Sequence, residues 1–441
     1  MNEDFLTLAR QTASKALASA VVELFPKALL VQGSGTSKYF YYDFILPFEL
    51  QNDALSVIEE RLRLKLKQKP AIRSVEMMPK NAAVRMEHQD QPFVAERIRD
   101  LGQGLVQMIE INGFVDWCEE EFLQEWDHRL VFKLIEHCPI EVGDRKGCRI
   151  IGVLSPEKDT LKESIKNAPL YSQASHQALC ERYQIAAASP CLGEGLWSWL
   201  PAGEKLRQAW IDWWKRSHVQ QNFQLMTTPS CLVPVEGFDP GLAMTLSHAE
   251  SFFNTGNKRL AEVSYVYQGQ KMPTNEGLLD VAGGMTDRAH IFCPEGELLN
   301  ECISSLHFIA KIPKILCFEF QIVLYTVKGA KGLRLLQQAL NESGLDYTTQ
   351  VSLQLEEGES RISVCLSDSL GRWWEGPFMS IGPVPGRRSG GFMLKRSALG
   401  SLERLVALQL ERCAGGNAAS VDDFLKTMNA LNWSKDPESE N

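Results

Sequence analysis

From residue 259 to 325, apolar runs of strand length alternate with one helical stretch at 295–311, and SRISVCLSDSLGRWWEGPFMSIG adds two more such runs. Segments this short cannot bury an apolar face alone, so they must pair with one another and rest on helices. Strands grouped in this way, with helices kept to one side, give an α+β class. One of the runs carries an imidazole: in MTDRAHIFCPEGELLNE, His290 sits inside the apolar stretch Ala289-His290-Ile291-Phe292. A lone histidine in such a place is either a satisfied core residue or a member of a ligand site, and the segment alone leaves both open.

The front of the chain is also mixed. ASKALASAVVEL (13–24) has helical spacing, and LLVQGSGTSKYFYYDFIL reads as a hairpin turning at Gly33-Ser34-Gly35. A charged helix is expected at about 52–69. Residues 156–190 read as a polar helical connector, and EKLRQAWIDWWKRSH (204–218) is a helix with Trp210, Trp213 and Trp214 on one face. QLMTTPSCLVP then reads as a strand broken at Pro229, and the last amphipathic helix is expected from Ser397 to about Arg412. The boundaries implied are a first α+β domain at 1–155, the connector at 156–190, a second α+β domain at 191–430 and a disordered charged tail at 431–441.

Composition excludes little else. At 441 residues, 44% hydrophobic and 23% charged, the chain has material for large cores in two or three domains. Its formal charge of −9 gives no bulk attraction to a polyanion. No uncharged run approaches membrane-spanning length, and the 11 cysteines form no CxxC pair, so reduced thiols in a cytoplasmic protein are expected. Gly33-Ser34-Gly35 lacks the surroundings of a phosphate loop, and HExxH, GxSxG and DxDxDG are absent.

The pairing of GGMTDRAHIFC with LKRSALGSLERLVALQLE about a hundred residues later resembles motifs 2 and 3 of class II aminoacyl-tRNA synthetases, and among them threonyl-tRNA synthetase. Asp239-Pro240-Gly241-Leu242, Arg259-Leu260-Ala261-Glu262 and LSDSLGRWWEGP extend the likeness, and RQTASKALASAV, YFYYDF and FVDWC are similar to the family's editing domain. The resemblance covers roughly residues 10–412. It implies an antiparallel class II sheet behind an editing-like domain, with no counterpart of the family's ubiquitin-like or anticodon-binding domains. It also implies a homodimer through motif 1, in which Trp210, Trp213, Trp214 and Pro229 either meet a second copy or pack inside one chain.

The positions that carry the family's chemistry differ here. The resemblance puts Asp239, His290 and Lys395 where the family holds zinc with one cysteine and two histidines. A lysine ammonium is no zinc ligand, so no zinc is expected, and Asp239 and Lys395 should pair in its place beside a retained His290. It puts Gln268 at the arginine that grips the α-phosphate of ATP, Gln270 at the adenine-placing glutamate and Asp280 at a basic loop position, while Arg404 keeps the motif 3 arginine. Lys258 and Lys271 are the cations near enough in sequence to replace the missing one.

In the amino-acid pocket, Trp374 and Met379 stand for two glutamines and Arg288 for an aspartate. In the editing-like domain, Gln11, Lys15, Cys118 and Phe122 stand for three histidines and a cysteine, so that chemistry is not carried over; Lys15 faces either a phosphate or solvent. The expected function is a degenerate synthetase paralogue that binds a nucleotide, an aminoacyl-adenylate, a tRNA acceptor end or a synthetase. The alternative is an ATP-dependent amino-acid-activating ligase that serves a non-tRNA acceptor such as a carrier protein.

Overall fold

The computed structural model describes residues 3–51, 53–101, 104–142, 145–167, 170–189, 191, 193–228, 258–267, 276–316, 318–327, 332–351, 359–383 and 392–414. The chain divides into two compact units, one built mainly from residues 1–173 and one mainly from 174 onward. Pro229, Asp239, Gln268, Gln270, Lys271 and the charged tail lie outside the described residues.

The first unit is α+β. Its elements run α1 (Glu3–Leu24), β1 (Leu29–Gly35), β2 (Phe40–Ile45), α2 (Ala54–Lys67), β3 (Ile72–Met77), α3 (Pro79–Glu87), α4 (Pro92–Asp100), β4 (Val106–Ile111), β5 (Phe114–Trp117), β6 (Val131–Val142), β7 (Arg145–Ser155), α5 (Lys158–Asn167) and the single turn α6 (Tyr171–Ala174). A four-stranded antiparallel sheet has the order β1-β2-β7-β6, and a three-stranded one the order β3-β4-β5.

Helix α1 fits against β1 because its inward face is small: Ala9, Ala13, Ala16, Ala20 and Ser14 are wholly buried. That close approach explains the two glycines. They lie within β1, and the hairpin turns after them, at Thr36–Tyr39, where the Thr36 amide bonds to the Tyr39 carbonyl. A β-carbon on Gly33 would fall 2.1 Å from the Tyr42 ring, and one on Gly35 2.0 Å from the backbone nitrogen of Gln11. The Gly-Ser-Gly run is therefore a packing surface for a helix, not the turn its composition suggests.

The second unit carries α7 (His176–Tyr183), β8 (Ala186–Ala188), β9 (Trp197–Trp199), α8 (Pro201–Gln220), β10 (Gln224–Leu225), β11 (Lys258–Tyr267), β12 (Gly283–Phe292), α9 (Leu298–Ile315), β13 (Phe320–Thr326), α10 (Leu333–Ser343), β14 (Thr348–Val351), β15 (Ser360–Ser367), β16 (Trp373–Pro383), β17 (Phe392–Ser397) and α11 (Leu402–Cys413). Eight described strands form one sheet in the order β10-β11-β12-β17-β16-β15-β13-β14. It is antiparallel except for its outermost pairings, β10 with β11 and β13 with β14. Residues 397–401 are not helical: the last helix starts at Leu402, capped by Ser401, whose hydroxyl accepts from the Arg404 amide.

The three tryptophans of α8 are core residues. Trp210 is 1% exposed and donates to Gln409, Trp214 is 2% exposed and donates to Asp287, and Trp213 stacks on Phe308 with ring centres 5.9 Å apart. Their apolar area is already removed from water inside one chain, so it is not available to cover a second copy. Of the two roles open in the sequence, packing within the chain is the one the structure gives them.

Glu403, in the first turn of α11, is 3% exposed. Both its oxygens accept the Met285 amide, at 3.1 and 2.9 Å, and burial pushes its carboxyl up to about 7.

Two tests follow from this packing. Gly35→Ala should destabilise the first unit by about 2 kcal/mol or more, because backbone, not a flexible side chain, occupies the space; hydrogen exchange should show the loss in α1 and β1, with Ser34→Ala as a mild control. Glu403 binds its proton more tightly folded than unfolded, so its contribution is complete below its ordinary value of 4.5 and is lost as pH rises through about 7. The loss amounts to at most about 3 kcal/mol. Thermal unfolding of the wild type should weaken across that window relative to Glu403→Gln, which stays neutral; parallel curves for the two proteins would refute this.

Candidate functional site

In the second unit the register decides which residues can act together. Directly opposed residues on antiparallel strands share a face, and neighbours along a strand alternate. His290 on β12 lies opposite Leu260 on β11 and Lys395 on β17, and Lys395 lies opposite Ser380 on β16. Two positions back, Arg288 lies opposite Glu262, with Nη1 3.6 Å from Oε1; Glu262 also accepts from the amide and hydroxyl of Thr228. Lys258, at the start of β11, is opposite Phe292 on the same face. The structure thus brings Arg288, His290 and Lys395 together, with Glu262 and Ser380 as neighbours that the sequence did not single out.

Met379, expected beside them in the pocket, is on the other face. It lies opposite Arg396 and Ile362, is fully buried and belongs to the apolar core. Strand alternation makes Ser380 the residue of that strand which shares a face with His290. Arg396 itself is 2% exposed and sits over Phe308 at 4.3 Å, donating to Gln221.

Arg404 and Trp374 form a second group. The Arg404 guanidinium lies 5.3 Å from the centre of the Trp374 ring, donates from Nε to the Leu279 carbonyl at 2.7 Å and from Nη1 to the Glu375 carbonyl at 3.0 Å, and has Asp280 4.0 Å from Nη2. The indole of Trp374 donates to Asp368 at 2.9 Å. Two of the arginine's donors are therefore spent on main chain and a carboxylate stands close by, which weakens any hold on a phosphate. Glu375 is braced in turn by Arg361 at 3.0 Å and by the Ser363 hydroxyl at 2.6 Å.

In the first unit a cleft of about 120 Å³ opens between α1, β1, β2, α4 and β5, lined in part by Lys15, Ser34, Tyr42, Arg97, Asp116, Glu119 and Glu120. Its inner wall is satisfied by its own partners. Lys15 Nζ is 2.9 Å from Asp116 Oδ2, the Tyr42 hydroxyl donates to the same oxygen at 2.8 Å, and the Trp117 amide donates to Oδ1 at 2.8 Å. Burial alone would favour loss of the Lys15 proton, but Asp116 more than reverses that and the ammonium's pKa is raised; burial and Asp116 also hold the Tyr42 phenol well above its ordinary value.

Gln11 fills the next position. Its amide nitrogen donates to Cys118 Sγ at 3.2 Å and to Glu120 at 2.8 Å, and its oxygen accepts from the Gly35 amide and the Ser34 hydroxyl. The Cys118 thiol, buried, is pushed up to about 11, and Phe122 is buried beside it in the same core. Lys15 is committed to a carboxylate, so neither the phosphate contact nor the solvated face open in the sequence is its place. Asp116, Tyr42, Arg97, Glu119 and Glu120 were not singled out in the sequence. The one signal for Asp116 was an acid in the apolar strand FVDW, two residues before Cys118.

No family model matches the chain. It is 25% identical over 470 residues to the threonine–tRNA ligase of Dehalococcoides mccartyi, covering 93% of this chain and 79% of that protein. It is 26% identical over 492 residues to the threonine–tRNA ligase of Thermus thermophilus, covering 93% and 74%. Among solved structures, the RNA binding domain of threonyl-tRNA synthetase from Cryptosporidium parvum Iowa II superposes with a TM-score of 0.48 at 22% identity over 55% of this chain and 73% of that one, too loose a fit to argue from. Sequence similarity spanning nearly the whole chain makes this a threonyl-tRNA synthetase-like protein.

Proposed function

We propose that the chain is a binding protein built on a synthetase frame, which neither ligates threonine to tRNA nor hydrolyses a mischarged ester. The observation that carries this reading is the inner wall of the cleft. At Gln11, Lys15, Cys118 and Phe122, the ammonium is neutralised by Asp116, the amide is saturated and the thiol is held at about 11, so none of these four positions supplies a general base or a thiolate near neutral pH. Arg404, bound to two carbonyls, adds support from the second unit. The ligands in keeping with this reading are ATP, an aminoacyl-adenylate or a tRNA acceptor end. Zinc has no part in it, since Lys395 stands where the family's second histidine would bind the metal. Self-association and a cytoplasmic setting are proposed on the resemblance alone; among the described residues no helix is long and apolar enough to cross a membrane.

Pyrophosphate exchange with ATP and each standard amino acid should stay at background, and seryl-tRNA should survive incubation with the chain. Exchange driven by threonine at the rate of an ordinary synthetase would overturn the reading. Exchange driven by another acid would make the chain a ligase of altered specificity. Metal analysis should likewise find no stoichiometric zinc, and one zinc per chain would contradict the role given to Lys395.

A further inference from the structure

Two strand arginines are almost wholly buried, one in each unit, and their partners differ: Arg149 on β7 and Arg396 on β17. Arg149 turns the side of its guanidinium formed by Nε and Nη2 to Asp43, donating to Oδ1 at 2.7 Å and to Oδ2 at 2.8 Å. A carboxylate thus takes both parallel donors and matches the charge. Arg396 gives Nη1 to the Gln221 side-chain oxygen at 2.9 Å. Its Nε and Nη2, the same side of the fork, are buried with no hydrogen-bond partner among the described residues.

The charge of Arg396 is unmatched as well. Burial pulls its guanidinium down to about 9, which leaves it protonated at neutral pH. Asp287 attracts it without reaching bonding distance, because that carboxylate bonds to Trp214, Ser397, Ala398 and Leu399. Glu301 is paired with Arg259, whose guanidinium lies over the same Phe223 ring as that of Arg396, at 5.9 and 4.8 Å from its centre. A buried ion left in this way is costly, and a single negative charge would offset it. Phe308 covers the guanidinium from α9 at 4.3 Å, and Ser305, one turn earlier on the same face of that helix, is 1% exposed with a hydroxyl that has no partner among the described residues. His218 packs on both rings, but it adds no charge: its Nδ1 donates to the Trp214 carbonyl and burial holds the imidazole down to about 3.

We propose that the Nε and Nη2 side of Arg396 binds one small monovalent anion, chloride or its like, with the Ser305 hydroxyl as a third donor. One ion of one charge is enough, since Arg259 already has Glu301. The burial of the two nitrogens between aromatic rings excludes a large oxyanion, whose further oxygens would need donors of their own. The ion ties β17 to α9 on the core face of the sheet, behind Lys395, and is a structural ligand that takes no part in any reaction. Its binding is independent of the function proposed above: either can fail and leave the other standing.

Thermal unfolding of the full chain at a constant ionic strength of about 0.15 M, in sodium chloride against sodium gluconate, whose anion is monovalent but too large for a buried site, tests this. Replacing gluconate by chloride should raise the melting temperature saturably, by about 2 °C or more at the end point, as expected of an ion that binds only the folded chain. Arg396→Met should abolish the chloride-specific rise. Should that variant fail to fold, Ser305→Ala answers the same question: its melting temperature in gluconate should be unchanged, and chloride should bind it at least threefold more weakly. Crystals grown in bromide should show an anomalous peak beside Arg396 Nε and Nη2. Equal melting temperatures in the two salts, a chloride effect unchanged in either variant, or a water at that place bridging Arg396 to His218 Nε2 would overturn the proposal.

Discussion

Four donors converge on one buried carboxylate in the second unit. Asp287, 1% exposed on β12, accepts from the Trp214 indole at 2.7 Å, the Ser397 hydroxyl at 2.6 Å, and the amides of Ala398 and Leu399, each at 2.8 Å. Burial drives its carboxyl up, and the four bonds are what make the site tolerable for a charge. They tie helix α8, strand β12 and the turn that follows β17 to a single atom group. That turn ends at Ser401, which caps α11, and the helix then delivers Arg404 to Trp374 and Glu403 to Met285. The geometry of the second candidate site thus depends on an aspartate that takes no part in it.

The histidine in the strand stands beside a lysine by its register. His290 is 4% exposed, and the residue across from it is a lysine. An imidazole beside an ammonium is a poor start for a cation site, because the charge that would attract a metal is replaced by one that repels it. What the face keeps is paired charge: Arg288 with Glu262 midway along β12, and, farther across the sheet, Arg361 with Glu375. These pairs hold strand neighbours in place, and the same pairing lowers their capacity to respond to a developing charge on a substrate.

The α+β class and most helices could be read from the chain because apolar period is a local property, and it survives in α1, α8 and β12 whatever the partners are. The residues that decided chemistry are non-local. Lys15 and Asp116 are 101 positions apart, and Trp214 and Asp287 are 73, so nothing in either segment alone reveals that they meet. Met379 and Ser380 show a finer limit: adjacent residues on a strand face opposite sides, and an alignment that is right about the strand can still choose the wrong neighbour. The expected start of the last helix at Ser397 is early for a related reason. Ala398, Leu402 and Leu405 have helical spacing, but the chain ends a strand there and uses Asp287 to turn before the helix begins at Leu402. The glycines of β1 misled in the same way, since glycine marks turns and close packing alike, and only the position of α1 separates the two.

In both units the polar residues of the candidate groups satisfy one another within an apolar frame. The terms that hold the frame, buried alanines against glycines and indoles within a sheet's core, are independent of the polar groups that line the cleft. Desolvated polar groups in a cleft must find partners. Lys15 with Asp116, and Gln11 with Cys118, Glu120 and the Gly35 amide, are such partnerships. Each is stable because it is closed: the donors at the bottom of the cleft already have acceptors, so a ligand gains nothing by reaching them. At the rim, Glu119 is exposed and Arg97 half-buried, so charges there meet solvent without breaking an existing pair.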